Sequence, residues 1–294
     1  MIERHPDIPD NIIELERHET IGDYARAYGD QLARMYEDLN FIVFPHFPLK
    51  IDLYPFQNIS FPAPLMKIGT ANGLEEDIFT RTGDKISVDQ DHLLLRAFGD
   101  IRLASYIRSQ IFSVNAQVRE ALRVLFPRYF SLAPVNQTWR LAPADDILIH
   151  LDRFDTKTQT PVSKRPHRLK FFINIDAQPR KWITSYTLPE VLMRRRDRFP
   201  DVLPNDINAV NQTIFSNSVY AGAPHHQINY PTLSAVFGNG EAVSHGVIKG
   251  DRVIGGEFFC YPSDMLDPAK NTHSQLPQWL EDAGISVGPD NLDP

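Results

Sequence analysis

The sequence predicts an α+β domain in which helices come first and a β-sandwich or jelly-roll core follows. Helical spacing of apolar residues marks the first 130 residues, whereas short β-rich runs alternate with turns over residues 131–270. The 23 prolines, against 15 glycines, favour extended segments with turns. We expect a single domain of 294 residues, with a mainly helical support region at residues 1–130, the core at residues 131–270 and a C-terminal tail at residues 271–294.

The helices of the N-terminal region are predicted from apolar residues that recur three and four positions apart. One such pattern covers residues 20–39, where Thr20 could cap the helix start. The apolar run Phe41–Phe44 follows as a buried strand and ends at a proline. Residues 92–126 show the helical pattern again. We expect two amphipathic helices there, separated by a break near residues 113–115.

The β-rich half is predicted to contain six strands bounded by turn residues. They are expected at residues 138–141, 147–152, 169–175, 235–237, 241–248 and 252–260. Lys249-Gly250-Asp251 is a turn signal between the last two. One helical insertion, residues 188–199, interrupts the strands and includes Arg194-Arg195-Arg196.

Composition excludes several classes of protein. The chain has 30 basic and 37 acidic residues, a net charge of −7, which disfavours nucleic-acid binding through bulk charge. The single cysteine, Cys260, excludes an intrachain disulfide and cysteine-based zinc sites. No apolar run approaches the ~18 residues of a membrane-spanning helix. The polar, acidic start predicts no signal peptide, so we expect a cytoplasmic protein.

His150 and Asp152 form the first candidate metal site. They end the apolar run Ile147-Leu148-Ile149, and residues i and i+2 of a strand point to the same face. One imidazole and one carboxylate at this spacing, with a histidine from elsewhere, can make the facial triad of non-heme Fe(II) oxygenases. An ion pair or a hydrogen-bonded core histidine is the alternative for the two residues alone.

Four histidines after Asp152 could supply the third ligand. His167 is expected to be exposed in a loop, and His225 and His226 also lie in a segment expected to be a loop. His245 lies in a predicted strand, and Arg252 opens the next one. We therefore favour His245 as the third ligand, with His226 as the second choice.

An ordered series of short motifs gives the chain a family resemblance over about residues 135–270. The motifs are Trp139-Arg140, Asp145-Asp146, His150-Leu151-Asp152-Arg153-Phe154, residues 169–175, Pro179-Arg180-Lys181-Trp182, residues 244–250 and Met265-Leu266-Asp267-Pro268. This series resembles the Kdo hydroxylases, Fe(II)- and 2-oxoglutarate-dependent oxygenases that hydroxylate 3-deoxy-manno-octulosonic acid (Kdo) in the lipopolysaccharide inner core. The resemblance implies a double-stranded β-helix fold, Fe(II) and 2-oxoglutarate as cofactors and O2 as co-reactant. It also favours His245 over His226 as the third metal ligand.

The resemblance also implies roles at the iron. His150, Asp152 and His245 would bind Fe(II), and the 5-carboxylate of 2-oxoglutarate would need a cation. Arg180 is favoured for that cation by the resemblance and Arg252 by strand geometry. Lys170 is a third candidate, although it stands where the family pattern has arginine.

Three further polar or aromatic residues complete the expected site. Trp182 could line the 2-oxoglutarate pocket or fill the core. Arg140 could bind the carboxylate of a sugar acid, with an ion pair to Asp145 or Asp146 as its alternative. Asn174 could contact 2-oxoglutarate or the substrate, or only the backbone.

Other functions stay open. The same fold could oxidise an amino acid or another small molecule, or form a cupin-like sugar-binding module without redox chemistry. A zinc hydrolase is disfavoured because no His-Glu-x-x-His motif occurs, and a dinucleotide-binding dehydrogenase because Gly238-Asn239-Gly240 lacks the third glycine. The expected substrate is a small molecule or glycolipid. Residues 194–198 could touch an anionic membrane surface transiently, or simply form a solvated helix face.

Overall fold

Two large β-sheets with helices packed on them form the structure, a computed structural model that describes residues 2–61, 67–70, 78–82, 85–88, 94–95, 98–129, 136–141, 147–153 and 165–289. The strands are β1 (Ile2–Glu3), β2 (Ile12–Glu14), β3 (Phe41–Phe44), β4 (Lys67–Thr70), β5 (Ile78–Thr82), β6 (Lys85–Val88), β7 (Asn136–Arg140), β8 (Ile147–His150), β9 (His167–Asn174), β10 (Arg180–Thr184), β11 (Val202–Pro204), β12 (His226–Tyr230), β13 (Ala235–Gly238), β14 (His245–Lys249), β15 (Val253–Cys260) and β16 (Ser286–Gly288).

The helices lie mainly before β7, between β10 and β12, and after β15. They are α1 (Ile21–Tyr28), α2 (Gln31–Glu37), α3 (Tyr54–Asn58), α4 (Ile101–Leu125), α5 (Leu188–Arg194), α6 (Ile207–Ser216) and α7 (Thr272–Asp282), with 3-10 turns at Arg196–Arg198, Pro262–Asp264 and Pro268–Lys270. The predicted α+β class is confirmed. Among the described residues, no helix is long and apolar enough to cross a membrane.

The strands between β7 and β15 pass back and forth between the two sheets. One sheet has the order β2-β3-β13-β9-β15-β7-β4-β5-β6 and the other the order β1-β12-β10-β14-β8. All neighbours in them are antiparallel except β2 and β3. Strands β7, β9, β13 and β15 belong to the first sheet, and β8, β10, β12 and β14 to the second. This alternation brings the ends of β8, β10 and β14 together.

Two hydrophobic cores follow from the alternation of side chains along the strands. Phe171 and Ile173 of β9 face the N-terminal helices. Phe172, between them in sequence, packs with Trp182 and Val247 in the second core. The second core therefore includes the space between the two sheets, and residues that point into it from β8, β10 and β14 are candidates for a site.

The N-terminal region follows the prediction in part. Thr20 caps the start of α1, because its Oγ1 accepts a hydrogen bond from Asp23 N at 3.1 Å. The break expected near residues 113–115 is wrong, because α4 is continuous. Asn115 is buried on the sheet side of α4 and its Oδ1 accepts the Trp139 indole N–H at 2.9 Å. The region also contributes β1–β6 to the sheets, so it is less helical than predicted.

The described part of the expected C-terminal tail, residues 271–289, contains a helix and a strand. Leu276 and Leu280, one helical turn apart on α7, are buried in the second core. Strand β16 then pairs in parallel with β11. The turn at Lys249-Gly250-Asp251 connects β14 to β15 across the two sheets rather than within one.

Candidate metal centre

His150 and His245 are directly opposite each other on neighbouring antiparallel strands. His150 ends β8 and His245 begins β14, and their ring centroids are 4.6 Å apart. Asp152 lies two residues after His150. One ligand atom from each of the three residues lies within 4.8 Å of the others. The structure thus brings together the triad expected from the sequence.

Hydrogen bonds to the backbone orient the triad. Nδ1 of His150 is 2.9 Å from the Leu148 carbonyl, and Nδ1 of His245 is 3.2 Å from the Val243 carbonyl. Both rings therefore keep Nε2 for a ligand, in the manner of metal-binding histidines. The main chain of Asp152 is fixed as well, because its N–H donates to the Gly240 carbonyl at 2.7 Å.

The protonation states of the triad suit a metal ion. Burial lowers the pKa of His245 to about 4, although Asp152 opposes the shift. Burial acts to raise the pKa of Asp152, but the nearby His245 and Lys170 outweigh it and hold that pKa below its usual value. At neutral pH the centre offers a neutral imidazole and a carboxylate, the forms that bind divalent ions. Two imidazole nitrogens and one carboxylate oxygen match the donor set of a mononuclear Fe(II) centre.

A buried guanidinium lies in the same interior. Arg180 is 1% exposed, and its Nε and Nη1 have no hydrogen-bond partner among the described residues. The Tyr230 hydroxyl lies beside it and is equally buried. A Cβ at Gly250 would lie 2.5 Å from the Arg180 guanidinium, so only glycine leaves room for it. Unsatisfied buried donors are costly, and a bound anion would satisfy these.

Trp182 connects this guanidinium to the triad. It lies two residues after Arg180 on β10, so both side chains point to the same face. The indole ring stacks on the His245 imidazole with centroids 5.6 Å apart. Trp182 is also 2% exposed and packs edge-on against Phe172. It therefore forms an apolar wall beside the triad.

Arg140, expected to bind substrate, lies close enough to Arg180 and Asp152 to be affected by their charges. Burial lowers the pKa of Arg140, the positive charge of Arg180 lowers it further, and Asp152 opposes the shift. Both guanidinium groups thus face one interior, near the triad. Asp145 and Asp146, the alternative partners of Arg140, lie outside the described residues, as does Phe154 of the motif series.

Lys170 and Arg252 occupy other positions than expected, whereas Asn174 makes the backbone contacts that were its alternative. Lys170 Nζ lies 2.5 Å from Asp152 Oδ2, so it contacts a member of the candidate triad. Arg252 lies on the opposite face of the nine-stranded sheet and donates to the carbonyls of Gln57 and Ile59. The Asn174 amide donates to two backbone carbonyls, at 3.0 and 3.1 Å. Arg252 and Asn174 therefore stabilise the scaffold.

The other candidate histidines are apart from the triad. His226, the second choice, accepts from His5 N at 2.9 Å and uses its other nitrogen on the Pro9 carbonyl. The loop expected at His226 is wrong, because β12 begins there, and so is the exposed loop expected at His167, which begins β9 and is 1% exposed beside Tyr36. His225 lies outside the strands, as expected.

An apolar groove of about 960 Å³ runs past His150. Leu148, 83% exposed, and Phe215, 54% exposed, are among the residues that line it or lie at its rim. The groove separates β8, β10 and β14 from α6 and the segment after it; its apolar lining includes Ile147, Ile149, Ile183, Ile214, Val219 and Val247. The sequence did not indicate the groove, because its two walls are distant in the chain.

The two antiparallel sheets and the His-Asp-His centre define a β-scaffold with a candidate mononuclear metal site. Solved structures of the Kdo hydroxylase KdoO share this fold. The complex with 2-oxoglutarate and Fe(III) is 17% identical, with a TM-score of 0.64, and the complex with succinate and Fe(III) is 16% identical, with a TM-score of 0.63. Each match covers 92% of this chain and 96% of that protein. No protein-family model and no curated relative matches the sequence.

Proposed function

We propose that the chain is an Fe(II)- and 2-oxoglutarate-dependent dioxygenase with a double-stranded β-helix core. The observation that supports this most is the combination of a His-Asp-His triad with the buried, unpaired guanidinium of Arg180 in one interior. The alternation of strands between two sheets and the similarity in fold to KdoO agree with it.

In this proposal each residue has one task. His150, Asp152 and His245 hold Fe(II). Arg180 binds the 5-carboxylate of 2-oxoglutarate, because a buried guanidinium binds a carboxylate with paired, charge-assisted hydrogen bonds. When bound, iron and 2-oxoglutarate together supply the oxidising chemistry that adds a hydroxyl group to a substrate carbon, using O2 and releasing succinate and CO2.

The interior side chains around the triad exclude water. Trp182 covers one side of His245, and Tyr230 and Arg140 lie beside Arg180. The Tyr230 hydroxyl can donate to the same carboxylate as Arg180, and Arg140 adds a second positive charge. A buried anion is bound more strongly where preorganised donors replace water.

The proposed substrate is the Kdo sugar of a lipopolysaccharide inner core, by analogy with KdoO. Support comes from the fold and from the motif series, both of which span most of the β-rich core. The apolar groove beside His150 favours a second candidate, another small molecule with an apolar part. Mass spectrometry distinguishes the two: a Kdo-containing glycolipid that gains one oxygen supports the first, and succinate formation with other acceptors alone supports the second.

The site itself is tested by anaerobic titration with Fe(II) and 2-oxoglutarate, followed by the visible charge-transfer band of their complex. We expect a band in the native protein and none in His150→Ala or His245→Ala, each checked for folding by circular dichroism. A folded native protein that gives no band would refute the oxygenase function and favour a sugar-binding module. A transient contact of residues 194–198 with the surface of the inner membrane is a separate proposal, and sedimentation of the protein with anionic vesicles tests it.

A further inference from the structure

Asp152 has two carboxylate oxygens in different surroundings. Oδ1 lies 3.8 Å from His245 Nε2, on the side of the triad. Oδ2 lies 2.5 Å from Lys170 Nζ. The carboxylate is thus divided between the metal-ligand cluster and a lysine that belongs to the other sheet.

We propose that Lys170 is a positioning residue that holds Oδ2 of Asp152, so that the carboxylate binds the metal through Oδ1 alone. A carboxylate bound through both oxygens takes up two coordination positions of one ion, whereas one bound through a single oxygen takes up one. Lys170 thereby keeps a position of the metal free for the reactants. This inference rests on the function proposed above.

The backbone presents Lys170 to Asp152 from a rigid element. Lys170 lies on β9, which has a neighbouring strand on each side in the nine-stranded sheet, and it is paired there with Gly238 and Glu257. Its side chain is only 17% exposed and that of Asp152 is 12% exposed. An ion pair this shielded from solvent is much less weakened by salt than a surface pair.

Gly240 leaves room for the pair. A Cβ at Gly240 would lie 1.9 Å from Asp152 Oδ2 and 3.0 Å from Lys170 Cδ. The Gly240 carbonyl also accepts the backbone N–H of Asp152 at 2.7 Å. Asn211 fixes the backbone carbonyl of Asp152, because its Nδ2 donates a hydrogen bond to that carbonyl at 2.8 Å. The backbone and one oxygen of Asp152 are therefore held before any metal binds.

This role differs from the one expected from the sequence. Lys170 is a candidate there for the 5-carboxylate of 2-oxoglutarate, but its ammonium group contacts the metal ligand instead. Contacts to ligand side chains of this kind typically change metal affinity by about 10- to 100-fold. The proposal therefore predicts an effect on the metal rather than a direct effect on 2-oxoglutarate.

The test is an anaerobic titration of the full-length chain with Co(II), read by visible absorption, without 2-oxoglutarate or substrate. We expect Lys170→Met and Lys170→Gln to bind Co(II) about 10- to 100-fold more weakly than the native protein, with a changed absorption spectrum that indicates altered coordination. Lys170→Arg should restore part of the affinity, because it restores a charged donor. Lys181→Met, an exposed lysine on β10, is the matched control and should behave as native.

The outcomes separate this inference from the proposed function. Native affinity and a native spectrum in both neutral variants, with the native protein binding Co(II), would refute the role of Lys170 alone. Tighter binding in the neutral variants would also refute it, because Lys170 would then compete with the metal. A folded native protein that binds no Co(II) would refute the proposed function and this inference with it. Circular dichroism of each variant shows that it is folded.

Discussion

Replacing Arg180 with methionine should have opposite effects on 2-oxoglutarate binding and on the stability of the ligand-free protein. Methionine has a similar length and no charge, so it can fill the space between Gly250 and Tyr230. In the native protein the guanidinium is buried and its Nε and Nη1 lack partners within the described chain. An anion should satisfy both groups, and without an anion they should cost stability.

The size of each effect follows from ordinary magnitudes. Two hydrogen bonds to a charged group contribute about 1.5–3 kcal/mol each, so the loss of both should weaken 2-oxoglutarate binding by about 10²- to 10⁴-fold. Replacing a buried charge by an apolar side chain is neutral or stabilising by about 1–4 kcal/mol. At about 2 °C per kcal/mol, the ligand-free Arg180→Met protein should melt at the same temperature as the native protein or up to roughly 8 °C higher.

Two measurements test this reasoning. Anaerobic titration in the presence of Fe(II) gives the 2-oxoglutarate affinity, and calorimetry of the ligand-free chain gives the melting temperature. Arg252→Met is the matched control: it loses bonds to the carbonyls of Gln57 and Ile59, so it should lower stability and leave 2-oxoglutarate binding unchanged. If Arg180→Met lowers the melting temperature and binds 2-oxoglutarate normally, Arg180 is a structural residue and the reasoning fails.

Three further predictions concern the surroundings of the site. Gly250→Val places a Cβ 2.5 Å from the Arg180 guanidinium. It should therefore raise the KM for 2-oxoglutarate at least tenfold and leave the Co(II) affinity native. Parallel titrations with 2-oxoglutarate and with Co(II) would reveal both effects. Burial lowers the pKa of His167 and of His273 to about 3, below the 6.5 of a free histidine. The unfolded chain therefore binds more protons than the folded chain between these two pKa values. The free energy of unfolding should fall as pH drops from about 6.5, by up to about 1.4 kcal/mol per pH unit for each histidine. Urea denaturation at several pH values should show that this free energy depends less steeply on pH in His273→Gln. Trp139→Phe removes the indole N–H that bonds to α4 and should cost about 1–3 kcal/mol in the free energy of unfolding, and an unchanged denaturation midpoint would contradict this.

The candidate metal ligands could be predicted from the sequence because short patterns mark each of them. His150 and Asp152 are two residues apart, which brings both to the same centre even though β8 ends at His150, and the strand containing His245 follows from its apolar pattern. The face on which Arg252 lies could not be predicted with the same rule, since a shift of one residue in the strand reverses every side chain. In the structure Val253 points into the space between the two sheets. Arg252, its neighbour in sequence, therefore points to the opposite face of the nine-stranded sheet.

The unpaired state of Arg180 depends on residues far from it in sequence. Tyr230 lies opposite Arg180 on the neighbouring strand β12, and Gly250 lies in the turn after β14. The break expected in α4 failed for a related reason, because Asn115 reads as a helix-breaking polar residue until Trp139 is known to donate to it. Sequence patterns indicate which face of an element is buried, but they do not indicate which distant groups satisfy a buried polar atom.

Lys170 and Arg180 have different surroundings in the site, so the two proposals predict different effects when each charge is removed. Lys170 is paired with Asp152 and acts, in our proposal, on the metal ligand. Arg180 has unsatisfied donors next to a second guanidinium, that of Arg140, so this part of the interior has an excess of positive charge that an anion would balance. Neutralising Lys170 should therefore weaken metal binding, and neutralising Arg180 should weaken 2-oxoglutarate binding at saturating metal. If either variant produced the other's effect, the division of charge derived from these contacts would be wrong, even if the protein proved to be an oxygenase.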